Sequence, residues 1–139
     1  MTNQTVGRIG LVGPGAVGGY YGGLLALSGQ EVHFHFRSSY DSVKENGLWL
    51  IHHDEGSRRE RVDGLHAHES TESIGVCDWV IVASKATANS ILPDLIRPLV
   101  GDNTRLLTLQ NGMGNAENLA DSFGHDHTIL AGLCFTCIN

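Results

Sequence analysis

A glycine-rich stretch near the amino terminus constrains the fold of this chain more than any other feature. A short apolar segment, residues 9 to 12, runs directly into Gly13-x-Gly15-x-x-Gly18, and a helical segment follows. A strand, glycines at this spacing and then a helix form the dinucleotide-binding fingerprint of a Rossmann βαβ unit. Gly13 is predicted to make the tight turn, Gly15 to let the backbone approach a pyrophosphate, and Gly18 to let helix and strand pack closely. Free N–H groups at the helix start favour an anion.

The predicted helix contains glycines that only close packing can compensate. Gly18, Gly19, Gly22 and Gly23 each cost about 1 kcal/mol relative to alanine in a helix interior. Glycines four residues apart share a helix face, so two faces permit close approach to a sheet or a cofactor. A flexible glycine loop without a ligand is the alternative, and the flanking strand disfavours it. A secretory signal peptide is rejected because Pro14 and the glycines interrupt the apolar region and no cluster of positive charge precedes it.

Length and charge narrow the class of protein. The 139 residues predict one domain. Hydrophobic residues make up 41% and charged residues 17%, as in ordinary globular proteins, and no apolar run reaches the roughly 20 residues that cross a membrane. The net charge of -6 argues against nucleic acid or an anionic membrane as partner. A phosphate ligand would need local cations, and the chain has only two lysines, Lys44 and Lys85.

The cysteines favour a reducing compartment. Cys77, Cys134 and Cys137 are an odd number without a secretory signal, which predicts a cytoplasmic protein without a disulfide framework. Cys134 and Cys137 form a C-x-x-C within the apolar run 130 to 138. A redox C-x-x-C needs a helix start after its first cysteine, whereas residues three apart in a strand point to opposite faces. Buried strand cysteines are therefore favoured over a redox pair.

The residue after the second strand predicts the choice of cofactor. Residues 31 to 36 alternate as a strand, and Arg37 follows at about the distance where NAD-binding units place an acidic residue for the ribose 2′-hydroxyl. A guanidinium with two small hydroxyls, Ser38 and Ser39, suits a phosphomonoester instead. NADP is thus predicted over NAD. The alternative is a solvated arginine at a strand end.

The segment after strand two predicts a hairpin. Residues 40 to 46 form a short helix ended by Gly47; residues 48 to 53, a turn at 54 to 56, and residues 58 to 68 then indicate a hairpin, not a second βαβ crossover. Histidines are frequent here and in two other places, and a metal site is the alternative they raise. No cysteine or carboxylate completes a tetrahedral set, so no metal is predicted and the histidines are assigned to exposed faces: His33, His35, His52, His53, His66, His68, His125 and His127.

Alternating helices and buried strands fill the rest of the chain. The predicted elements are a short helix at 70 to 75 capped by Ser70 or Thr71, a parallel strand at 79 to 83, a helix at 89 to 100, a strand at 104 to 109, a helix at 116 to 123 closed by Gly124, and a last strand at 128 to 138. The fold class is therefore α/β: a Rossmann-type, doubly wound, mostly parallel sheet with a hairpin insertion.

Polar residues follow two of these buried strands. Ser84 and Lys85 end the strand at 79 to 83, and Gln110 and Asn111 end the strand at 104 to 109. Open α/β sheets bind ligands at the carboxyl ends of their strands. Lys85 is therefore predicted at the ligand crevice, with a plain surface lysine as the alternative.

These motifs together resemble the ketopantoate reductase family (2-dehydropantoate 2-reductase). The resemblance rests on GPGAVGGYYG after strand one, Arg37 after strand two, SKA at 84 to 86 and QNGMG at 110 to 114. It implies that Arg37 holds the adenosine 2′-phosphate, that Lys85 lies at the cofactor edge, and that Asn111 lies between the nicotinamide ribose and the substrate. The pyrophosphate would be held by the whole loop: Gly13, Pro14, Gly15, Ala16, Val17 and Gly18.

The resemblance also implies a reaction and a missing part. The family transfers hydride from NADPH to the ketone of a 2-oxo acid, a step of pantothenate biosynthesis, and a lysine on a second, helical domain supplies the proton. The chain stops at Asn139, so residues 1 to 139 are expected to be the NADP-binding domain, without a catalytic residue of its own and inactive alone. A fragment is favoured over a stand-alone domain because an uncovered apolar strand is an unusual terminus.

Two other classes of protein remain open. One is a non-catalytic NADP-binding module, and the other is the cofactor domain of a different NADP-dependent hydroxyacid or phosphosugar dehydrogenase. The expected partners are a small 2-oxo acid and either the missing domain or a second copy, which would associate through the exposed sheet face near residues 130 to 138.

Overall fold

Helices and strands alternate along most of the described chain, and three consecutive strands interrupt the alternation. The structure, a computed structural model, describes residues 5–13, 15–52, 58–84, 91–110, 114–124 and 126–132. Its strands are β1 (Arg8–Val12), β2 (Glu31–His35), β3 (Trp49–Ile51), β4 (Arg59–Arg61), β5 (His66–His68), β6 (Cys77–Val82), β7 (Val100–Thr108) and β8 (Ile129–Ala131). Its α-helices are α1 (Ala16–Leu27), α2 (Tyr40–Asn46), α3 (Leu92–Ile96) and α4 (Asn115–Phe123).

Six strands form one parallel sheet in the order β5-β2-β1-β6-β7-β8. The chain winds outward from β1 through β2 to β5, returns to β6 beside β1, and winds outward the other way. The strand order therefore reverses between β1 and β6, which is the topological switch point where such sheets bind ligands. Strands β3 and β4 form a separate antiparallel pair. The predicted fold class, α/β with a mostly parallel Rossmann-type sheet, is confirmed.

The sheet has a hydrophobic core on each face, because alternate residues of each strand point to opposite sides. One core packs with partly buried residues of α1 and α2; its buried members are Ile9, Leu11, Val32, Phe34, Phe36 and Ile81. The other includes residues of α3 and α4; its buried members are Val12, Ile74, Cys77, Val80, Val82, Leu92, Ile96, Leu99, Leu106 and Leu119. Helices thus cover both faces, as doubly wound folds require.

The glycines of α1 allow two close contacts. A Cβ on Gly22 would lie 2.7 Å from a ring carbon of Phe34, and a Cβ on Gly23 would lie 2.8 Å from a methyl of Leu50. One glycine face therefore packs on the sheet and the neighbouring face packs on the β3–β4 hairpin. The predicted close approach is confirmed, and it explains how the helix tolerates its glycines.

The predicted hairpin is correct in its existence and wrong in its extent. Among the described residues, Trp49–Ile51 pairs with Arg59–Arg61. Backbone hydrogen bonds from His52 to Arg58 and from Val62 to Leu48 extend this pairing by one residue at each end. The chain then turns at Gly64, which has a φ of +65°, and His66–His68 joins the main sheet parallel to β2. The route β2–α2–β5 is therefore a second crossover, contrary to prediction. Ala67 explains why β5 joins the main sheet: it lies on β5 and packs against the core that Val32 and Phe34 of β2 help to form.

Several element boundaries differ from the predictions. The described part of the helix predicted at 89 to 100 is α3 followed by a 3₁₀ turn, Arg97–Leu99, because Pro98 cannot donate a helical hydrogen bond. Strand β7 begins at Val100, opposite Cys77. The predictions for α2, ended by Gly47, and for α4, ended by Gly124, are confirmed. Residues 133 to 139, with Cys134 and Cys137, lie outside the described residues.

Two further predictions concern the cap of the short helix before β6 and the ability of any helix to span a membrane. Ser70 caps the 3₁₀ turn Thr71–Ser73, its hydroxyl oxygen accepting from the Glu72 N–H at 3.2 Å. Among the described residues, no helix has the length and apolar character needed to span a membrane.

Candidate dinucleotide-binding site

The turn after β1 requires glycine for two reasons. Gly13 has a φ of +75°, and a Cβ there would collide with Ser84 on the neighbouring strand. The Gly15 N–H donates to the Gly13 carbonyl oxygen at 2.8 Å, which closes the turn. Gly18 follows one turn into the helix, where a Cβ would lie 2.8 Å from the Ala83 Cβ. The loop is thus pressed against the end of β6.

Gly15 is the open point of this loop. It is exposed, and a Cβ built on it would meet no atom within 4 Å. It is also the N-cap of α1, which has no side-chain cap and no acidic residue in its first turn. The missing side chain leaves open space beside the helix start, where free N–H groups and the helix dipole favour an anion.

Ser84 carries an orphaned hydroxyl beside the glycine turn. The end of β6 is tied to β1 by the Ala83 N–H, which donates to the Val12 carbonyl oxygen at 2.9 Å. The Ser84 Oγ is buried and has no hydrogen-bond partner among the described residues. An unsatisfied buried hydroxyl costs about 1–3 kcal/mol, so a ligand oxygen at this place would stabilise the site.

The end of β7 is built from buried polar side chains. Thr108, Gln110 and Asn115 are 1%, 5% and 6% exposed. The Thr108 hydroxyl donates to Gln110 Oε1 at 3.0 Å, the Gln110 N–H donates to Thr108 Oγ1 at 3.2 Å, and Asn115 Nδ2 donates to the Gln110 carbonyl oxygen at 3.4 Å. This network fixes the two ends of the loop that contains Asn111. A cleft of about 370 Å³ adjoins it.

Sequence reasoning missed the roles of Thr108 and Asn115. Both are buried polar residues, one at the end of a strand and one at the start of a helix. The available signal was a threonine and two amides, Gln110 and Asn115, flanking the glycines at 112 and 114. Such clustering of hydrogen-bonding groups at a strand end indicates a rigid loop.

Arg37 lies where the prediction put it, in the loop after β2. Arg37, Ser38 and Ser39 are all exposed. The loop is anchored by the Phe36 N–H, which donates to the His68 carbonyl oxygen of β5 at 2.9 Å. The Arg37 guanidinium makes no hydrogen bond or ion pair with any described residue. Its loop and the glycine turn both follow carboxyl ends of adjacent parallel strands, so they share one edge of the sheet.

Three predicted site residues, Pro14, Lys85 and Asn111, lie outside the described residues. Their described neighbours Gly13, Ser84 and Gln110 follow the carboxyl ends of β1, β6 and β7. The side chain of Ala16 is also undescribed, and Val17 is half-buried in the first turn of α1. The roles of these residues stay predictions.

The prediction that the histidines are exposed is wrong for two of them and correct for His66. His33, His68 and His127 are half-buried, and His53 and His125 lie outside the described residues. His35 is 4% exposed and His52 is 8% exposed. His52 holds the hairpin on α1: its Nδ1 lies 3.3 Å from the Tyr20 hydroxyl and its Nε2 lies 3.2 Å from Glu60 Oε1. Alternation along β2 suggested one solvent face, but a doubly wound sheet buries much of both faces.

Burial also changes the acidity of the histidines on β2 and β5. Loss of solvation is the largest cause that lowers the pKa of His33, His35 and His68 below the ordinary histidine value. Within the described ranges, no group of three or more histidine, cysteine or acidic side chains is arranged to hold a metal ion. The absence of a metal stays a prediction.

The strand order, the glycine turn and the helices on both faces define a Rossmann-type α/β domain. Residues 9–139 match the family model of ketopantoate reductase, PanE/ApbA. The chain therefore belongs to the ketopantoate reductase family of oxidoreductases, as its motifs predicted.

Curated relatives agree with this assignment. The chain is 38% identical over 132 residues to the 2-dehydropantoate 2-reductase of Nostoc sp., covering 95% of this chain and 40% of the relative. It is 34% identical over 108 residues to the 2-dehydropantoate 2-reductase of Mesorhizobium japonicum, covering 76% of this chain and 32% of that relative. The chain thus spans two fifths or less of the length of these two proteins.

Solved structures show the same fold. The crystal structure of 2-dehydropantoate 2-reductase from Geobacter metallireducens superposes with a TM-score of 0.85 at 43% identity, over 95% of this chain and 42% of that one. The ternary structure of D-mandelate dehydrogenase with NADH and anilino(oxo)acetate superposes with a TM-score of 0.76 at 25% identity, over 91% of this chain and 40% of that one.

Proposed function

We propose that this chain is the cofactor-binding domain of an NADPH-dependent reductase of 2-oxo acids, of the 2-dehydropantoate to pantoate type. One observation carries the proposal: the open glycine turn at Gly15 and the unpaired Arg37 lie along the same edge of the sheet, at and beside its switch point. Family membership and the 2-dehydropantoate 2-reductase relatives support the reaction type.

The residues of this edge fit NADP. The N–H groups of the loop from Gly13 to Gly18 would hold the pyrophosphate. Arg37, with Ser38 and Ser39, would hold the 2′-phosphate through charge-assisted hydrogen bonds. The orphaned Ser84 hydroxyl would gain a partner from the bound cofactor. When bound, NADPH would supply the hydride that reduces the substrate ketone.

Lys85 and Asn111 complete the proposed site at the strand ends. Lys85 would place a point positive charge at the cofactor edge, beside Ser84. Asn111 would contact the nicotinamide ribose and the substrate, because its amide both donates and accepts. The hydrogen bonds among Thr108, Gln110 and Asn115 would hold the Asn111 loop in place.

The general acid and most substrate contacts would come from a C-terminal helical domain. The described part of this chain offers the glycine turn, Arg37 and buried amides at the sheet edge, which suit binding and orientation more than proton donation. The chain covers 40% of its Nostoc relative, which leaves ample length for such a domain. We place the protein in the cytoplasm, with that domain or a second copy covering the sheet near residues 130 to 138.

A different hydroxyacid dehydrogenase is the second candidate function. It is favoured by one observation, the likeness to a D-mandelate dehydrogenase whose structure contains NADH. Arg37 at the end of β2 favours the 2′-phosphate of NADPH, so an enzyme of this second class would use NADPH here as well.

Binding measurements test both candidates and the non-catalytic alternative. Titration of the chain with NADPH and with NADH is expected to give much tighter binding of NADPH. Equal affinities would overturn the NADPH assignment, and failure to bind either nucleotide would overturn the proposed role of the domain. A non-catalytic module would bind NADPH equally well. It would not reduce ketopantoate even when the C-terminal part of a relative, which this chain does not span, is added.

A further inference from the structure

A row of histidines occupies one face of β5, the edge strand of the sheet, and of its neighbour β2. In the sheet register His33 lies opposite His66 and His35 lies opposite His68. All four side chains share a face because residues two apart in a strand point the same way. The proposed cofactor site uses none of them.

Two of these histidines belong to a continuous chain of hydrogen bonds. Glu31 Oε2 lies 3.1 Å from His33 Nε2, and His33 Nδ1 lies 2.9 Å from His68 Nε2. His68 Nδ1 lies 2.7 Å from the Ser73 Oγ, and the Ser73 hydroxyl donates to the Ser70 carbonyl oxygen at 2.8 Å. This series of hydrogen bonds therefore joins β2, β5 and the 3₁₀ turn that leads into β6.

The protons in this chain can be counted from its donors and acceptors. An ionised Glu31 only accepts, so His33 Nε2 must carry a proton, and one more proton lies between the two rings. If the Ser73 hydroxyl donates to Ser70, then His68 Nδ1 must also carry a proton. The two rings then hold three protons, whereas a neutral pair holds two.

A neutral pair can keep its own contacts in only one way. The Ser73 hydroxyl must turn away from Ser70 and donate to His68 Nδ1, which now accepts. The Ser70 carbonyl oxygen then loses the Ser73 hydrogen bond. The observed distances at Ser73, 2.7 Å to His68 and 2.8 Å to Ser70, allow both arrangements without moving a heavy atom.

We propose that His33 and His68 take up a single proton as one unit, and that this proton sets the direction in which the Ser73 hydroxyl donates. With the proton bound, Ser73 donates to Ser70 and closes the turn. Without it, Ser73 donates to His68 and releases the Ser70 carbonyl oxygen. The pair and the hydroxyl together form a proton-sensitive switch.

The charged surroundings restrict the pair to one proton. Arg8 of β1 donates to Glu31 at 2.9 Å, and His66 of β5 stacks on His33 with ring centroids 4.5 Å apart. Burial, and then the neighbouring cationic groups, lower the pKa of His68, while Glu31 alone favours the charged form of His33. The Arg8 and His33 hydrogen bonds lower the pKa of Glu31, which keeps it ionised as histidines titrate.

The remaining titratable neighbours add to this restriction. His35, on the same strand as His33, lowers the pKa of His68 as a further positive group. Asp78 of β6, two strands from β2, accepts from the Arg8 backbone N–H at 2.7 Å and helps to raise the pKa of Arg8, so its charge acts on Arg8. Two adjacent imidazolium ions would repel each other, so the second proton is excluded.

The switch acts on a turn that connects several elements. The Thr71 hydroxyl of this turn donates to the Leu95 carbonyl oxygen of α3 at 2.6 Å. His68 itself accepts the Phe36 N–H through its carbonyl oxygen. Protonation of the pair therefore changes the hydrogen bonding of the segment that joins β5 to β6.

Nuclear magnetic resonance of the chain labelled with ¹⁵N-histidine and with ¹³C at the serine carbonyls tests the proposal. Imidazole nitrogens are followed from pH 8 to pH 5 in the presence of EDTA. The signals of His33 and His68 are expected to move with one common midpoint and to account for one proton in total. The ¹³C signal of the Ser70 carbonyl is expected to follow the same midpoint.

Three variants separate the switch from a mere structural contact. In Ser73→Ala the Ser70 signal should no longer follow the histidines, and their midpoint should fall by about half a pH unit or more because the imidazolium loses an acceptor. Glu31→Gln should lower the midpoint in the same direction. His66→Gln removes the stacked ring, which lowers the pKa of both histidines, so the midpoint should rise while the uptake stays at one proton because the two rings of the pair still repel a second.

Several results would overturn the switch. Uptake of two protons by the pair between pH 8 and pH 5 would contradict the shared site, and so would uptake of none. A Ser70 signal that titrates unchanged in Ser73→Ala would contradict the role of the hydroxyl.

Discussion

Arg37 is the residue on which the choice of nucleotide depends. Its guanidinium is exposed and unpaired within the described part of the chain, in a loop fixed by the Phe36 hydrogen bond to β5. Binding of a phosphate to this arginine costs little free energy in broken contacts, because no existing ion pair must break. The bidentate geometry of a guanidinium matches a phosphomonoester.

We expect Arg37→Ala to weaken NADPH binding selectively. A hydrogen bond to a charged group contributes about 1.5–3 kcal/mol, which corresponds to roughly a 10- to 150-fold loss of affinity. NADH lacks the 2′-phosphate and should bind equally to parent and variant. Calorimetric titration of both nucleotides measures this difference. The control Arg97→Ala removes an exposed arginine near the opposite edge of the sheet and should leave both affinities unchanged; a variant that binds NADPH like the parent would refute the assignment.

Ser84 allows a test in which stability and binding separate. Ser84→Ala removes a buried hydroxyl that has no partner among the described residues, so the free energy of unfolding should stay unchanged or rise by up to about 1 kcal/mol. NADPH affinity should fall, since the hydroxyl is expected to bond to the cofactor. Urea denaturation and nucleotide titration measure the two effects, with Ser42→Ala on the exposed surface of α2 as control. Loss of stability together with unchanged NADPH affinity would show that the hydroxyl serves the fold alone.

At the scale of the element, local patterns predicted most helices and strands. The glycine turn, α2 ended by Gly47 and α4 ended by Gly124 all carry their signals within a few residues. The pairing of β5 with β2 could not be predicted in this way, because it depends on which distant strand Ala67 packs beside. The buried state of His35 and His52 was missed for the same reason, since burial is decided by neighbouring strands and by the hairpin. At the site, Arg37 and the glycines were predictable from spacing, whereas the Thr108 and Asn115 hydrogen bonds require the folded loop.

Two glycines of the same strand–turn–helix element are expected to respond oppositely to alanine. Gly15→Ala adds a methyl group to open space at a negative φ, so stability should hold while NADPH affinity falls through loss of close backbone approach. Gly22→Ala drives a methyl group against Phe34 and Leu11; overpacking costs about 1–3 kcal/mol and the gain in helix propensity offsets about 1 kcal/mol.

Thermal unfolding and NADPH titration of both variants check this pair, and each variant is the control for the other. Gly15→Ala should keep the parent's melting temperature, and Gly22→Ala should melt earlier. An equal loss of stability in both variants, with no selective effect of Gly15→Ala on binding, would contradict the division of roles within the element.

At the scale of the whole molecule, one topology gathers every proposed contact. The carboxyl ends of β2, β1, β6 and β7 lie side by side, so residues far apart in sequence meet along a single edge. This edge can bind and orient a nucleotide. It presents one side of a reaction site, and the other side would come from the part of the relatives' length that this chain does not span.

We therefore expect these 139 residues to bind NADPH and to lack significant ketopantoate reductase activity. Positioning of two reactants can lower a barrier by about 7–11 kcal/mol, and a placed general acid contributes roughly 10²- to 10⁴-fold in rate. A domain that holds only the cofactor loses most of both contributions. The measurement is NADPH oxidation with ketopantoate, beside sedimentation of the same sample, in which association through the sheet face near residues 130 to 138 should appear. A helical domain supplied in trans from a family member should restore turnover. Robust turnover by a monomer of this chain alone would show that a proton donor already lies within the Rossmann domain, and Lys85 would be the first residue to substitute.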